Sequence, residues 1–287
     1  MTLIAGKTVL LTGASRGLGV YIARALAKEQ ATVVCVSRSK SGLEQTCDVI
    51  QSVGGKGISI PFDMKNVSQL SLLTQQIQEV VGPIDILINN AGIEIHRAFV
   101  DYSTEEIQSV FQTNLLAAME LTRLLLPSMM ERGSGRIVNI ASLAGKKGVA
   151  YNSIYSASKA GLIMWTDAMR QELIGTGVNI SVICPGYVSE TGMTADSRVP
   201  GPKLAGVSTP KSVANAIIHA IKRNKPEVIV NENLITESLT KFMFAVGQFS
   251  PTYVDSLYRW LGVVKLNQKR AENRAKKQYV EVGNCHK

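Results

Sequence analysis

The stretch VLLTGASRGLGVYIARALA, Val9 to Ala27, decides the fold. An apolar run ends in a turn carrying Gly13, Gly17 and Gly19, and a helix-period pattern follows at once. A backbone that must turn tightly there and approach an anion closely needs residues without a Cβ. The helix start then offers unsatisfied N–H groups and a positive dipole end to a pyrophosphate. Glycines alone would signal only close packing. The strand before and the helix after favour a dinucleotide site, with Ser15, Arg16 and Leu18 joining the three glycines as candidate contacts.

Working outward, short Val- and Ile-rich runs alternate with longer helical patterns. KTVLLTG, ATVVCVS, GISIPF, IDILIN, GRIVNIAS, VNISVIC and PEVIV read as buried strands. The longest helical pattern, TEEIQSVFQTNLLAAMELTRLLLPSMMERG, is capped by Ser103 or Thr104 with two glutamates in its first turn. A later one starts with Thr209 as cap and Pro210 at the first helical position. Seven strands interleaved with helices imply an α/β, doubly wound parallel sheet covered on both faces. No internal repeat is present. The composition shifts only at the Gly/Pro/Ser-rich segment Gly186 to Pro210 and beyond about Glu237, so we expect a catalytic domain over 1–236 and a helical, basic extension over 237–287.

The composition excludes several classes. With 287 residues, 45% hydrophobic and 18% charged, the chain can bury one large core and shows no bias towards disorder. No apolar run reaches the roughly 18 to 20 residues of a membrane span, and the start MTLIAGKTVLLTGAS lacks signal-peptide features. Cys35, Cys47, Cys184 and Cys285 form no CxxC pair, which suits a reducing cytoplasm. No His/Cys/Asp cluster has metal-ligand spacing. Of the net charge of +9, seven Lys/Arg against two Asp/Glu lie from Lys265 onward, so the basicity belongs to the tail.

The end of the second strand bears on the choice of nicotinamide cofactor. An acid there would hold a ribose 2′-hydroxyl and repel a 2′-phosphate. Here stand Ser37 and Arg38, with Arg16 in the glycine turn. Guanidiniums suit a phosphate, so the expected cofactor is NADP(H).

The spacing TGxxxGxG, Thr12 to Gly19, resembles that of the short-chain dehydrogenase/reductase family, and further motifs follow in the family's order. NNAG spans Asn89 to Gly92, Asn114 lies in the long helix, Ser142 follows the fifth strand, YSASK spans 155 to 159 and PG spans 185 to 186. The likeness covers about residues 5 to 232 and implies a Rossmann-type fold. It implies catalytic roles for Asn114, Ser142, Tyr155 and Lys159. It also implies adenine contact by Asp63 and cofactor contacts by Asn90, Ala91, Gly92, Pro185, Gly186, Val188 and Thr191. Ser189 competes with Thr191, and Asn89 and Asn90 also suit a structural tie between strand ends.

Hydride transfer to a ketone builds charge on its oxygen, which needs a proton donor in reach. A free phenol titrates near ~10. Lys159, four residues from Tyr155 on one helix face, is expected to favour phenolate and lower that value. The resemblance adds a bond from Lys159 to the nicotinamide ribose, carbonyl binding by Ser142 and a water held by Asn114. Leu143, Tyr151, Tyr187 and Met193 are candidate substrate contacts; Tyr151 suits packing equally. Glu94 and His96 either touch substrate or are solvated. The segment 186–210 reads as a lid, in which Arg198 and Lys203 are either anion contacts or surface charge.

The expected reaction is NADPH-dependent reduction of a ketone or 3-oxoacyl carbonyl. The alternatives are oxidation of a lipid or steroid alcohol, and a non-catalytic NADPH-binding sensor or scaffold. In the tail, Leu239, Phe242, Met243 and Val246, then Val254, Leu257, Tyr258 and Leu261, keep helical spacing. Two readings stand: packing on the enzyme's own body or a subunit interface with a solvated basic end, or peripheral membrane contact. Localisation is thus expected to be cytoplasmic, or cytoplasmic and membrane-peripheral. Nucleic-acid binding is not expected, since no recognition motif accompanies the charge. The family likeness implies a homodimer or homotetramer.

Overall fold

The computed structural model describes residues 2–197, 199, 207–231 and 234–284. The strands are β1 (Thr8–Thr12), β2 (Thr32–Ser37), β3 (Lys56–Pro61), β4 (Ile86–Asn89), β5 (Gly135–Ile140), β6 (Val178–Pro185), the short β7 (Tyr187–Val188) and β8 (Val207–Ser208), and β9 (Glu227–Val230). The helices in chain order are α1 (Leu18–Lys28), α2 (Lys40–Gln51), α3 (Leu70–Val81), α4 (Thr104–Phe111), α5 (Ala117–Glu131) and α6 (Ser153–Glu172). They continue with α7 (Gly192–Asp196), α8 (Pro210–Arg223), α9 (Leu234–Phe249), α10 (Pro251–Trp260) and α11 (Val263–Asn284).

All seven expected strands form one parallel sheet in the order β3-β2-β1-β4-β5-β6-β9. The continuous apolar runs of the central strands follow from burial on both faces, with successive side chains feeding opposite layers, whereas the edge strand β3 is largely exposed. Val9 and Leu11 meet Ile22 and Leu26 of α1 and Val213 and Ile217 of α8. Leu10, between them, joins Leu70 and Ile77 of α3 and Leu121 of α5 on the other side. The strand order reverses between β1 and β4, and the crevice at such a reversal is where doubly wound sheets bind ligands.

The helix caps follow the sequence signals. Ser103 closes a capping box with Glu106, and Thr209 accepts the Ser212 N–H at 3.0 Å. In contrast, α1 begins at Gly17 with no side-chain cap and no acid in its first turn, so its N-terminal N–H groups are left to a ligand. The pattern over 104–133 is not one helix. A π-helical turn, Gln112–Leu116, separates α4 from α5 and carries Asn114.

Helices α9 to α11 fold back on the sheet-bearing part of the chain, and the boundary expected at 236/237 falls inside α9. Asn231 donates to Thr240 at 2.8 Å, Phe244 packs against the core beside Leu143 and Leu162, and Lys147 pairs with Asp255 at 2.6 Å. The second apolar stripe does turn inward, with Val254 fully buried. The first turns inward only in part: Leu239 and Phe242 are exposed, Met243 and Val246 are half-buried, and Thr240, Phe244 and Gly247 share the inward side with them. Gly247 permits this because a Cβ there would stand 3.2 Å from Val254. No described helix is long and apolar enough to cross a membrane.

Candidate active site

The glycine turn and the motif Asn89 to Gly92 are stitched together at the sheet's reversal point. Thr12 Oγ1 accepts the N–H groups of Asn90 and Ala91 at 3.0 Å, and Asn90 Nδ2 donates to Thr12 O and Gly13 O. Gly13 has φ +67, and a Cβ on it would lie 2.8 Å from Ala91 Cα, so only glycine fits. Asn89 is structural, donating to Asn139 at 2.8 Å across β4 and β5.

A cavity of about 320 Å³ runs from this turn across the strand ends. Its nucleotide end is lined by Gly13, Ser15, Arg16, Gly17, Leu18 and Gly19, then by Ser37, Arg38 and Asp63. Asn90, Ala91, Gly92, Pro185, Gly186, Val188 and Thr191 line its middle. The uncapped α1, the glycine cradle and the basic Arg38 suit a pyrophosphate dinucleotide. Arg16 is engaged elsewhere, paired with Asp196 of α7 at 2.5 Å. Ser189 does not line the cavity. Its hydroxyl and its N–H both donate to Ser208 O, because it directly follows β7 beside the end of β8, whereas Thr191 does line the cavity. Of the lid expected over 186–210, Arg198 and Lys203 lie outside the described residues.

Asn114, Ser142, Tyr155 and Lys159 come together at the other end. The π turn lets Asn114 clasp the backbone of Ile93: its Oδ1 accepts Ile93 N at 2.8 Å and its Nδ2 donates to Ile93 O at 3.0 Å. Nδ2 also donates to Ser158 Oγ at 3.0 Å. Lys159 Nζ donates to Ile140 O at 2.7 Å and lies 5.8 Å from the Tyr155 ring centre. A Cβ on Gly92 would stand 3.4 Å from Asn114 Oδ1 and 3.5 Å from Lys159 Nζ, so glycine keeps the space between them clear. Ser142 Oγ accepts the Ala144 N–H at 3.1 Å, and its bond to the Tyr155 hydroxyl pulls that phenol down.

The electrostatics differ from the sequence expectation. Burial pushes the Tyr155 phenol above its ordinary value, and Glu94 adds to the rise. Lys159 is itself brought down by burial to about 8. Desolvation of both side chains thus outweighs the phenolate-favouring effect expected from the i, i+4 pair.

Sequence reasoning missed part of the chamber. Glu94 and His96 are not solvated. Both are largely buried and 3.5 Å apart, Glu94 accepts from Asn152 at 2.5 Å, and Glu94 and Asn152 line the cavity. Leu143, Tyr187 and Met193, the other candidate substrate contacts, line it. Tyr151 does not: it occupies a left-handed position (φ 59) in the turn before α6, where its carbonyl accepts Arg97 N–H. Tyr258, Val263 and Arg270, from α10 and α11, add to the wall, so the cavity is not lined by residues of the sheet and its flanking helices alone. Asn267 and Arg270, in the run read as a solvated basic end, are buried. Apolar positions were the only burial signal in the sequence, and these residues carry none. No cluster of metal-binding side chains occurs among the described residues.

The family model described as short chain dehydrogenase matches residues 7–200. The chain is 78% identical over 282 residues to "Ketoacyl reductase HetN" of Nostoc sp., covering 98% of each. It is 33% identical over 222 residues to "3-oxoacyl-[acyl-carrier-protein] reductase FabG" of Vibrio cholerae, covering 74% of this chain and 88% of that protein. A metagenomic short-chain oxidoreductase, solved in complex with NADP, aligns with a TM-score of 0.71 at 28% identity, covering 81% of this chain and 100% of that one. Fold, ordered motifs and these likenesses agree: the chain belongs to the short-chain dehydrogenase family and is an oxidoreductase.

Proposed function

We propose that the protein reduces a ketone of the 3-oxoacyl type to a secondary alcohol, with NADPH as the cofactor and Tyr155 as the proton donor. The family uses NAD or NADP. The observation that carries the reading is one cavity with the glycine cradle, Ser37 and Arg38 at one end and Ser142, Tyr155 and Lys159 at the other. The ketoacyl reductase names of two relatives and the NADP bound to a structural neighbour support it.

Bound there, the nicotinamide supplies a hydride, and the protein's own groups position and protonate. Cofactor preference rests on charge rather than shape: Ser37 leaves a 2′-phosphate unrepelled and Arg38 offers it a guanidinium. Ser142, with one lone pair occupied by Ala144 N–H, turns its own proton towards the substrate carbonyl. Burial and Glu94 keep Tyr155 protonated at neutral pH, the form a reduction needs. As the proton leaves, the Lys159 ammonium beside the ring stabilises the phenolate. Asn114 holds the backbone of Ile93 and stands across Gly92 from Lys159, the place for a water that returns the proton. We also assign the cofactor contacts and the catalytic quartet to residues 1–236 and a homodimer or homotetramer to the solution state, with the exposed Leu116 and Met164 of the π turn and α6 as interface residues.

Tyr155→Phe tests the proposal. NADPH oxidation across a ketone panel should fall at least about 100-fold, with NADPH binding retained. An unmutated protein that binds NADPH but turns over no ketone would leave the sensor role in its place.

A further inference from the structure

We propose that Arg270, on the extension helix α11, recognises the group on the far side of the reacting carbonyl. That group presents an acceptor oxygen, the carboxylate or ester-type carbonyl of a 3-oxo acid derivative. The inference rests on the reductase reading of the site and adds a specificity residue from outside the matched span of residues 7–200.

Arg270 is 4% exposed, yet it lines the cavity. Its guanidinium lies 5.1 Å from the centre of the Tyr187 ring, and its Nη2 donates to Val199 O at 2.7 Å. Its Nε is buried without a hydrogen-bond partner. No carboxylate among the described residues pairs with it, although Arg274, one turn on, reaches Glu106 at 3.9 Å. A buried guanidinium N–H without an acceptor is costly, and a ligand oxygen would relieve that cost.

The surroundings set the ligand's shape. Tyr187, beneath the guanidinium, and Tyr155 line the same cavity as Arg270, so the guanidinium faces the chamber that holds the proton donor. Tyr258 and Val263 give that wall an apolar surface. Glu94 occupies the same chamber, held by Asn152, and disfavours an anion near Tyr155. An acceptor oxygen therefore sits best at the Arg270 end. The Lys147–Asp255 and Asn231–Thr240 contacts hold the extension on the body.

The test uses the full chain and three probes: ethyl acetoacetate, acetoacetate and 2-pentanone, the last lacking the second oxygen. Arg270→Met should raise KM about ten- to hundredfold for the probes whose oxygen it binds. KM and kcat for 2-pentanone should stay within about twofold, and Arg270→Lys should recover part of the loss. A larger effect on acetoacetate identifies a carboxylate; a larger one on the ester identifies a carbonyl. An equal effect on 2-pentanone, or no effect on any probe, overturns the inference. If the unmutated protein reduces none of them, the reductase reading fails, and calorimetry on the NADPH-loaded protein still decides about Arg270. Binding of ethyl 3-hydroxybutyrate or 3-hydroxybutyrate in preference to 2-pentanol, lost in Arg270→Met, supports it; equal binding refutes it.

Discussion

Lys159 should weaken the fold that it serves. It is 3% exposed, and Ile140 O, at 2.7 Å, is the one protein acceptor described for its ammonium. Burial lowers its pKa from 10.5 to about 8, which corresponds to about 3 kcal/mol against the charged form. A folded-state value below the unfolded one means that the unfolded chain binds the proton more tightly. The penalty is therefore full below the folded value. It is relieved as pH rises through the window from about 8 to 10.5, where the unfolded state carries more protons and stability increases. Lys159→Met keeps most of the apolar stem and removes the charge, but leaves the Ile140 carbonyl without its donor, at a cost of about 1 kcal/mol. The variant should be about 2 kcal/mol more stable than the unmutated protein near neutral pH, with the gap closing as pH rises through that window. Urea unfolding of both proteins at three or four pH values measures this, and other titrating groups cancel in the difference. A variant less stable near neutral pH, or a gap that does not change with pH, would refute the reasoning. Turnover should be lost in either event.

Two further substitutions probe the nucleotide end. Gly13→Ala places a Cβ 2.8 Å from Ala91 Cα at φ +67. The left-handed backbone alone should cost about 1–2 kcal/mol, and parting the glycine turn from the Asn89 to Gly92 segment should weaken nucleotide binding, both read by unfolding and by cofactor fluorescence. Arg38→Asp should lower NADPH affinity about ten- to hundredfold while NADH binding changes little; equal losses for both cofactors would count against the assigned preference.

The parallel sheet was legible because a strand covered on both faces is apolar along its length, as VVCV of β2 and ILI of β4 are. The caps at Ser103 and Thr209 and the glycine turn were legible for a similar reason, since each answers a local backbone need. Other features depend on partners distant in the chain. The π turn at Asn114 is matched by the backbone of Ile93, 21 residues away, and nothing in QTNLL signals it. Arg16 pairs with Asp196, 180 residues on, so its positive charge alone did not reveal its engagement.

The tail shows the same division. Its helical spacing was readable, but a period of 3.6 residues says which side chains share a face and not which face is covered. Leu239 and Phe242 ended outside, while Arg270, in the most polar run of the chain, ended inside. By itself, the sequence determined the family, the sheet and the quartet Asn114, Ser142, Tyr155 and Lys159 as candidates, because local backbone demands and ordered motifs are written along the chain. Only the tertiary structure decided what surrounds Tyr155, because burial is set jointly by Glu94, Ser142, Tyr187 and an extension helix from the far end of the chain, and no local pattern encodes that meeting.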